Sequence, residues 1–144
     1  VSSVDPGFAF ALWCDDIRQE LGNKPSFMGV YVGGLVVHSL PVVLPRMSIW
    51  ATLSLPVEVE VGEVSACVRL DNGTELFRTP PTKMDLDANT PSGAEPVRRQ
   101  AQFYLTLSPL PIPEGTRYLE IVLSNGDESF VAPRLHVQPS QPSS

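Results

Sequence analysis

The side chains that could do chemistry are few and scattered. They comprise two histidines, His38 and His136, two cysteines, Cys14 and Cys67, and an acidic pair, Asp15-Asp16, echoed by Asp85, Asp87, Asp127 and Glu128. A hydrolytic triad needs a nucleophile, a base and an orienting acid within hydrogen-bond reach. Both histidines instead lie in strand-like runs with no marked serine or cysteine nearby. There is no P-loop, dinucleotide glycine fingerprint, GxSxG, HExxH or paired CxxC. The expectation is a non-enzymatic protein without a cofactor. The acidic residues could gather at one end of a β-sandwich and ligate calcium through oxygen, but their spacing does not demand it. A lone histidine such as His38 lacks the convergent partners a metal requires, so no metal site is expected.

The elements that must position these residues are read outward from Phe8 to Gly34. Two short apolar runs, Phe8 to Trp13 and Phe27 to Val32, are bounded by Asp5-Pro6-Gly7, Pro25 and Gly33-Gly34 and read as strands. Phe8, Phe10 and Leu12 would line one face of the first, with Ala9, Ala11 and Trp13 on the other. With both faces apolar, cover is expected on both sides. Between the runs, Gly22-Asn23 suits a hairpin turn, because both residues tolerate positive φ. The alternative is a short helical turn capped by Asp15 or Asp16 and ended at Gly22. The hairpin is favoured.

The run CDDIRQELGNK followed by SFMGVYVGG resembles the N-terminal signature of a family of small bacterial and prophage-encoded proteins of unknown function. The resemblance is specific over Ala9 to Gly34 and continues weakly through LPRMSIW. It implies a compact β-sandwich with no assigned activity. The signature residues Asp15, Asp16, Arg18, Glu20, Asn23 and Lys24 are expected to be structural, with Asp15, Asp16, Arg18 and Glu20 making local ion pairs and turn hydrogen bonds.

Composition sets the remaining bounds. A chain of 144 residues with 42% hydrophobic content can bury one real core, and 15 prolines with 10 glycines suit a fold of many turns. The net charge of −6, with no basic cluster larger than Arg98-Arg99, disfavours nucleic-acid backbone binding. No run approaches the roughly 18 apolar residues of a membrane span, and no basic, apolar, small-residue leader pattern is visible. A cytoplasmic origin without membrane association is therefore expected. In that setting, two buried free thiols are favoured over a disulfide.

Further along, Arg46 to Leu55 alternates cleanly, with Met47, Ile49, Ala51, Leu53 and Leu55 on one face and Trp50 on the polar one. Val57 to Val61 alternates again. Val64 to Leu70 should turn through a three-residue loop with Gly73 left-handed, setting Arg69 opposite Glu75 and Val68 opposite Leu76. Arg78 to Gln100, with four prolines, is the long irregular segment. Ala101 to Leu107 and Arg117 to Leu123 are strands, and a two-residue Asn125-Gly126 loop would set Ile121 against Phe130. Gln138 to Ser144 reads as a polar tail.

The resulting expectation is an all-β, single-domain antiparallel β-sandwich, Ig-like or jelly-roll-like, of seven to nine strands. It spans residues 1–137, with an irregular loop over 78–100 and a tail over 138–144. The expected role is a non-catalytic structural or protein-interaction module that binds a protein partner or itself. One variant is a phage decoration or cement protein carried on a virion. Contacts are expected through the 78–100 loop and the chain ends, with Trp50, Lys83, Arg98 and Arg99 as candidates. The alternative is a calcium- or carbohydrate-binding sandwich that uses acidic end loops.

Overall fold

A computed structural model describes residues 7–86 and 98–140. They form twelve strands and no helix: β1 (Phe8–Glu20), β2 (Lys24–Val30), β3 (Leu35–Val37), β4 (Val42–Leu44), β5 (Met47–Pro56), β6 (Val64–Leu70), β7 (Glu75–Arg78), β8 (Arg98–Leu107), β9 (Leu110–Ile112), β10 (Tyr118–Asn125), β11 (Glu128–Val131) and β12 (Leu135–Pro139). Among the described residues no helix is therefore long and apolar enough to cross a membrane. The count exceeds the expected seven to nine because β3, β4 and β9 have three residues each and stand among prolines, too short to show a period.

The sandwich has two main layers. One is a four-stranded antiparallel sheet in the order β2-β1-β5-β8. The other runs β3-β12-β10-β6-β7, with β11 also on β10, and contains one parallel pair, β3 with β12. A small β4-β9 ribbon accompanies them. Met47, Ile49, Ala51, Leu53 and Leu55 of β5 are fully buried, as their alternation suggests, but Ser48, Thr52 and Ser54 on its other face are buried as well, and Trp50 alone is partly exposed. Opposite the apolar set in the same core lie Val64, Ala66, Val68 and Leu70 of β6 and Leu119, Ile121 and Leu123 of β10. Each side chain of this size withdrawn from water contributes roughly 1.5–3 kcal/mol before the entropy of ordering it is counted.

β1 departs from expectation. Ala9, Ala11 and Trp13 face the core, but Phe8 and Phe10 remain 53% and 40% exposed. The sheet's second face is therefore not covered along this strand. Small residues beside one tryptophan let β1 pack closely on the facing layer, and the larger phenylalanines are turned outward.

Three local readings are also corrected. Val57 to Val61 is a loop rather than a strand, turning on the Val59 N–H to Pro56 carbonyl bond (3.1 Å). The β6-β7 loop does have three residues, with Gly73 at φ 91° and Arg69 opposite Glu75, but an irregularity then places Val68 opposite Phe77 rather than Leu76. Charge complementarity does not set this register: Arg69 pairs with Glu120 and Glu75 with Arg78. The β10-β11 turn uses Gly126-Asp127, so Leu123 rather than Ile121 faces Phe130. Asn125 is drawn into the strand by its side chain, which accepts from the Gly62 N–H (2.8 Å) and donates to the Glu60 carbonyl (3.0 Å).

Of the other segments, β8 begins at Arg98, inside the stretch read as loop, and residues 87–97 lie outside the described residues. At the other end, β12 runs through Pro139 and pairs it with Val37, so the first residues of the expected polar tail take part in a sheet.

Candidate functional site

The signature segment builds an arm. β1 pairs with β5 only from Phe8 to Cys14; beyond that point its partner is β2 alone, out to Glu20 opposite Lys24. The turn is Leu21-Gly22-Asn23, with φ of 85° at Gly22 and 58° at Asn23, so the hairpin reading holds over the helical one. The arm overhangs the outward face of its own sheet, where the Phe27 ring meets Trp50 at 5.7 Å between centroids. At the arm's base, Asp16 pairs with Arg46 (2.8 Å) and Asp15 accepts the Tyr31 hydroxyl. Burial first, and the neighbouring Asp15 second, push the Tyr31 hydroxyl up to about 12. Of the signature residues, Asp16 reaches Arg46 rather than a local partner, while Arg18, Glu20, Asn23 and Lys24 are exposed toward the tip.

Beneath the arm, cross-strand register arranges the outward face in rows: Phe8-Ser54-Gln100, Phe10-Thr52-Gln102 and Leu12-Trp50-Tyr104. Phe10 meets Trp50 edge-on at 6.1 Å, so Trp50 is clasped between Phe10 and Phe27. The Trp50 indole N–H and the Tyr104 hydroxyl both donate to Oε1 of Gln102, at 3.5 and 3.1 Å. Thr52, between Phe10 and Gln102, is buried, and its hydroxyl has no partner among the described residues.

On the β8 side an open groove of about 910 Å³ runs between the arm tip and the sheet. Its walls are Gln19, Glu20 and Asn23 from the arm, Gln100, Gln102 and Tyr104 from β8, and Met84, Asp85 and Leu86 from the segment after β7. Small-molecule sites occupy about 300–1,000 Å³. Among the described residues the lining contains no lysine, arginine or histidine. Sequence reasoning found the arm and Trp50 but missed Gln100, Gln102 and Tyr104. The available signal was an aromatic residue on the polar face of β8, the same feature that marked Trp50 in β5.

The other expected residues lie elsewhere. Arg98 donates to the Ser54 hydroxyl (2.6 Å) and carbonyl (3.2 Å) and stands 5.1 Å over the Phe8 ring. Arg99 donates to the Val57 carbonyl (3.0 Å), so the two arginines serve different places. Lys83 is exposed beside the Thr82–Val64 bridge. His38 and His136 are exposed, His136 edge-on to Tyr118. Cys14 and Cys67 are free, buried and in different sheets, and burial raises both thiol pKa values. Among the described residues no three His, Cys, Asp or Glu side chains gather as a metal site; Asp87 lies outside them. A second, smaller cavity of about 220 Å³ lies against Trp13, Tyr31 and His136, and the Trp13 indole N–H is buried without a partner among the described residues.

Comparison with known families places the chain. A model described as "Family of unknown function (DUF6941)" matches residues 9–138. The chain belongs to DUF6941. The match spans both sheets and includes the arm, the clasped Trp50 and the β8 wall of the groove. No curated protein matches this chain. No solved structure matches it either.

Proposed function

We propose that this DUF6941 chain is a non-catalytic interaction module that docks on other protein subunits through the outward face of its four-stranded sheet. The observation that carries this reading is the placement of Phe8 and Phe10, two large apolar side chains exposed on the outward face of β1, along the stretch where β5 is its paired neighbour. Scattered exposed apolar residues are ordinary, but aromatic side chains side by side on the outward face of a sheet form a patch suited to a protein surface. Arg98 over the Phe8 ring adds a cation at the patch rim, where Arg is favoured in interfaces. The net charge of −6 works against nucleic acid as the partner.

The narrower form of the proposal is a decoration or cement protein on a phage shell, of bacterial or prophage origin. It is supported by the resemblance of the Cys14 to Lys24 signature to prophage-encoded proteins. Genes for virion structural proteins beside this one support that form, and a metabolic operon refutes it.

The docking surface is tested by multi-angle light scattering across a concentration series. The expected result is a mass above the monomer that returns to the monomer value in Phe8→Ser/Phe10→Ser, with the melting temperature preserved. A wild-type protein that stays monomeric at every concentration sinks self-association through this face.

A further inference from the structure

The geometry points to the groove between the arm tip and β8 as a binding site for a neutral polyhydroxylated ligand, a glycan chain without acidic or sulfated groups. This goes beyond the docking proposal, which uses Phe8 and Phe10 on the other side of the Phe27–Trp50 contact.

The lining chemistry selects the ligand class. Gln19, Asn23, Gln100 and Gln102 present four carboxamides, of which Gln102 offers its NH2 donors and the other three carry both donors and an acceptor. A sugar hydroxyl is likewise donor and acceptor, so adjacent carboxamides can bond successive hydroxyls in either sense. Glu20 adds an acceptor for hydroxyl hydrogens. With the Glu20 carboxylate and no cation in the described lining, phosphate, sulfate or uronate groups would meet like charge on entering. The Tyr104 ring, 42% exposed, supplies the flat, electron-rich surface against which the C–H face of a pyranose ring packs.

Two details show that the polar groups are set in place. Gln102 Oε1 already accepts from Trp50 and Tyr104, which fixes the amide plane and leaves its NH2 as the group offered to the groove. Tyr104 spends its hydroxyl hydrogen on that bond and keeps its lone pairs as acceptors. The groove is open to solvent rather than enclosed, so a chain can lie along it.

The test is a titration of the full chain with neutral hexaoses (cellohexaose, maltohexaose, laminarihexaose and chitohexaose) and with a sulfated heparin hexasaccharide, followed by amide NMR and tryptophan fluorescence. At least one neutral hexaose should bind with Kd on the order of 0.1–10 mM. The shifts should centre on Asn23, Gln102 and Tyr104, with the Trp50 emission responding. Tyr104→Ala and Gln102→Glu should weaken binding by about tenfold or more, whereas Tyr104→Phe, which keeps the ring, should stay within about threefold. Melting curves check that each variant is folded. If no neutral hexaose perturbs these residues, if the sulfated sugar binds tighter, or if Tyr104→Ala binds like wild type, the assignment is overturned. Phe8→Ser/Phe10→Ser should leave sugar binding unchanged. Loss of self-association with intact sugar binding therefore counts against neither proposal, and failure of one readout leaves the other standing.

Discussion

Replacing Phe27 with alanine should release the arm while leaving the sandwich intact. Phe27 is half-buried, and its ring is 5.7 Å from Trp50 at an interplanar angle of 48°. An aromatic pair of this kind contributes about 0.5–1.5 kcal/mol beyond area burial. Half of the roughly 1.5–3 kcal/mol for a fully buried large side chain adds about 0.8–1.5. The sum is about 1.3–3 kcal/mol of arm docking, or a ten- to hundredfold rise in the population of the released arm at about 1.4 kcal/mol per decade. The Asp16–Arg46 ion pair cannot hold the arm alone, because Arg46 is 51% exposed and such surface pairs contribute about 0–1 kcal/mol. Once released, the β1-β2 ladder beyond Cys14 is an isolated two-stranded hairpin, which is marginal in water and should fray. Native-state hydrogen exchange reads this directly. Amides of Lys24–Val30 should exchange about ten to a hundred times faster, with those of Leu119–Leu123 in β10 nearly unchanged. Unaltered exchange in β2 would refute the docking argument. Equal acceleration in β10 would show that Phe27 belongs to the global core and not to a separable arm.

Three other outcomes follow from individual contacts. Glu120 is buried in β10 and receives both Arg69 (2.5 Å) and Arg134 (3.1 Å), so Glu120→Gln should lower unfolding free energy in urea by about 1–3 kcal/mol, below the range for fully buried pairs because both arginines are partly exposed; an unchanged midpoint rejects a stabilising role. Asn125→Ala orphans the Gly62 N–H and the Glu60 carbonyl together and should cost about 2–4 kcal/mol, whereas a loss near zero would mean that water replaces both bonds. The raised Tyr31 pKa means that the folded state holds this proton more tightly than the unfolded chain. Its contribution to stability is complete below the ordinary value of 10 and is lost as pH rises through about 12. The phenolate absorbance difference between wild type and Tyr31→Phe should therefore show a transition near pH 12, and a transition at 10 excludes the proposed burial and Asp15 contact.

Side-chain parity was legible wherever the two faces of a strand differ in polarity. In β8 buried apolar residues alternate with exposed ones, and in β5 apolar residues alternate with Ser48, Trp50, Thr52 and Ser54, so a shift by one position would turn the apolar set away from the core, and the local sequence alone determines which face turns inward. The hairpin at Gly22-Asn23 and the left-handed Gly73 were equally local, because they depend on backbone angles that few residues accept. β1 was different: Phe8 and Phe10 on one side and Ala9, Ala11 and Trp13 on the other are all apolar, so nothing along the strand distinguishes its faces. Only packing against the opposite sheet selected the small face for the core and left the phenylalanines outward. The β10-β11 register was likewise decided at a distance, by Asn125 bonding a loop more than sixty residues away in the chain. The groove belongs to the same class. Gln19 on β1, Asn23 in its turn, and Gln102 and Tyr104 on β8 are far apart in the chain, and they converge because β1 outlasts its partner β5 and carries its hairpin across the sheet. Local periodicity encodes which way a side chain points. Which strands end early, and what then folds over them, is set by the tertiary arrangement.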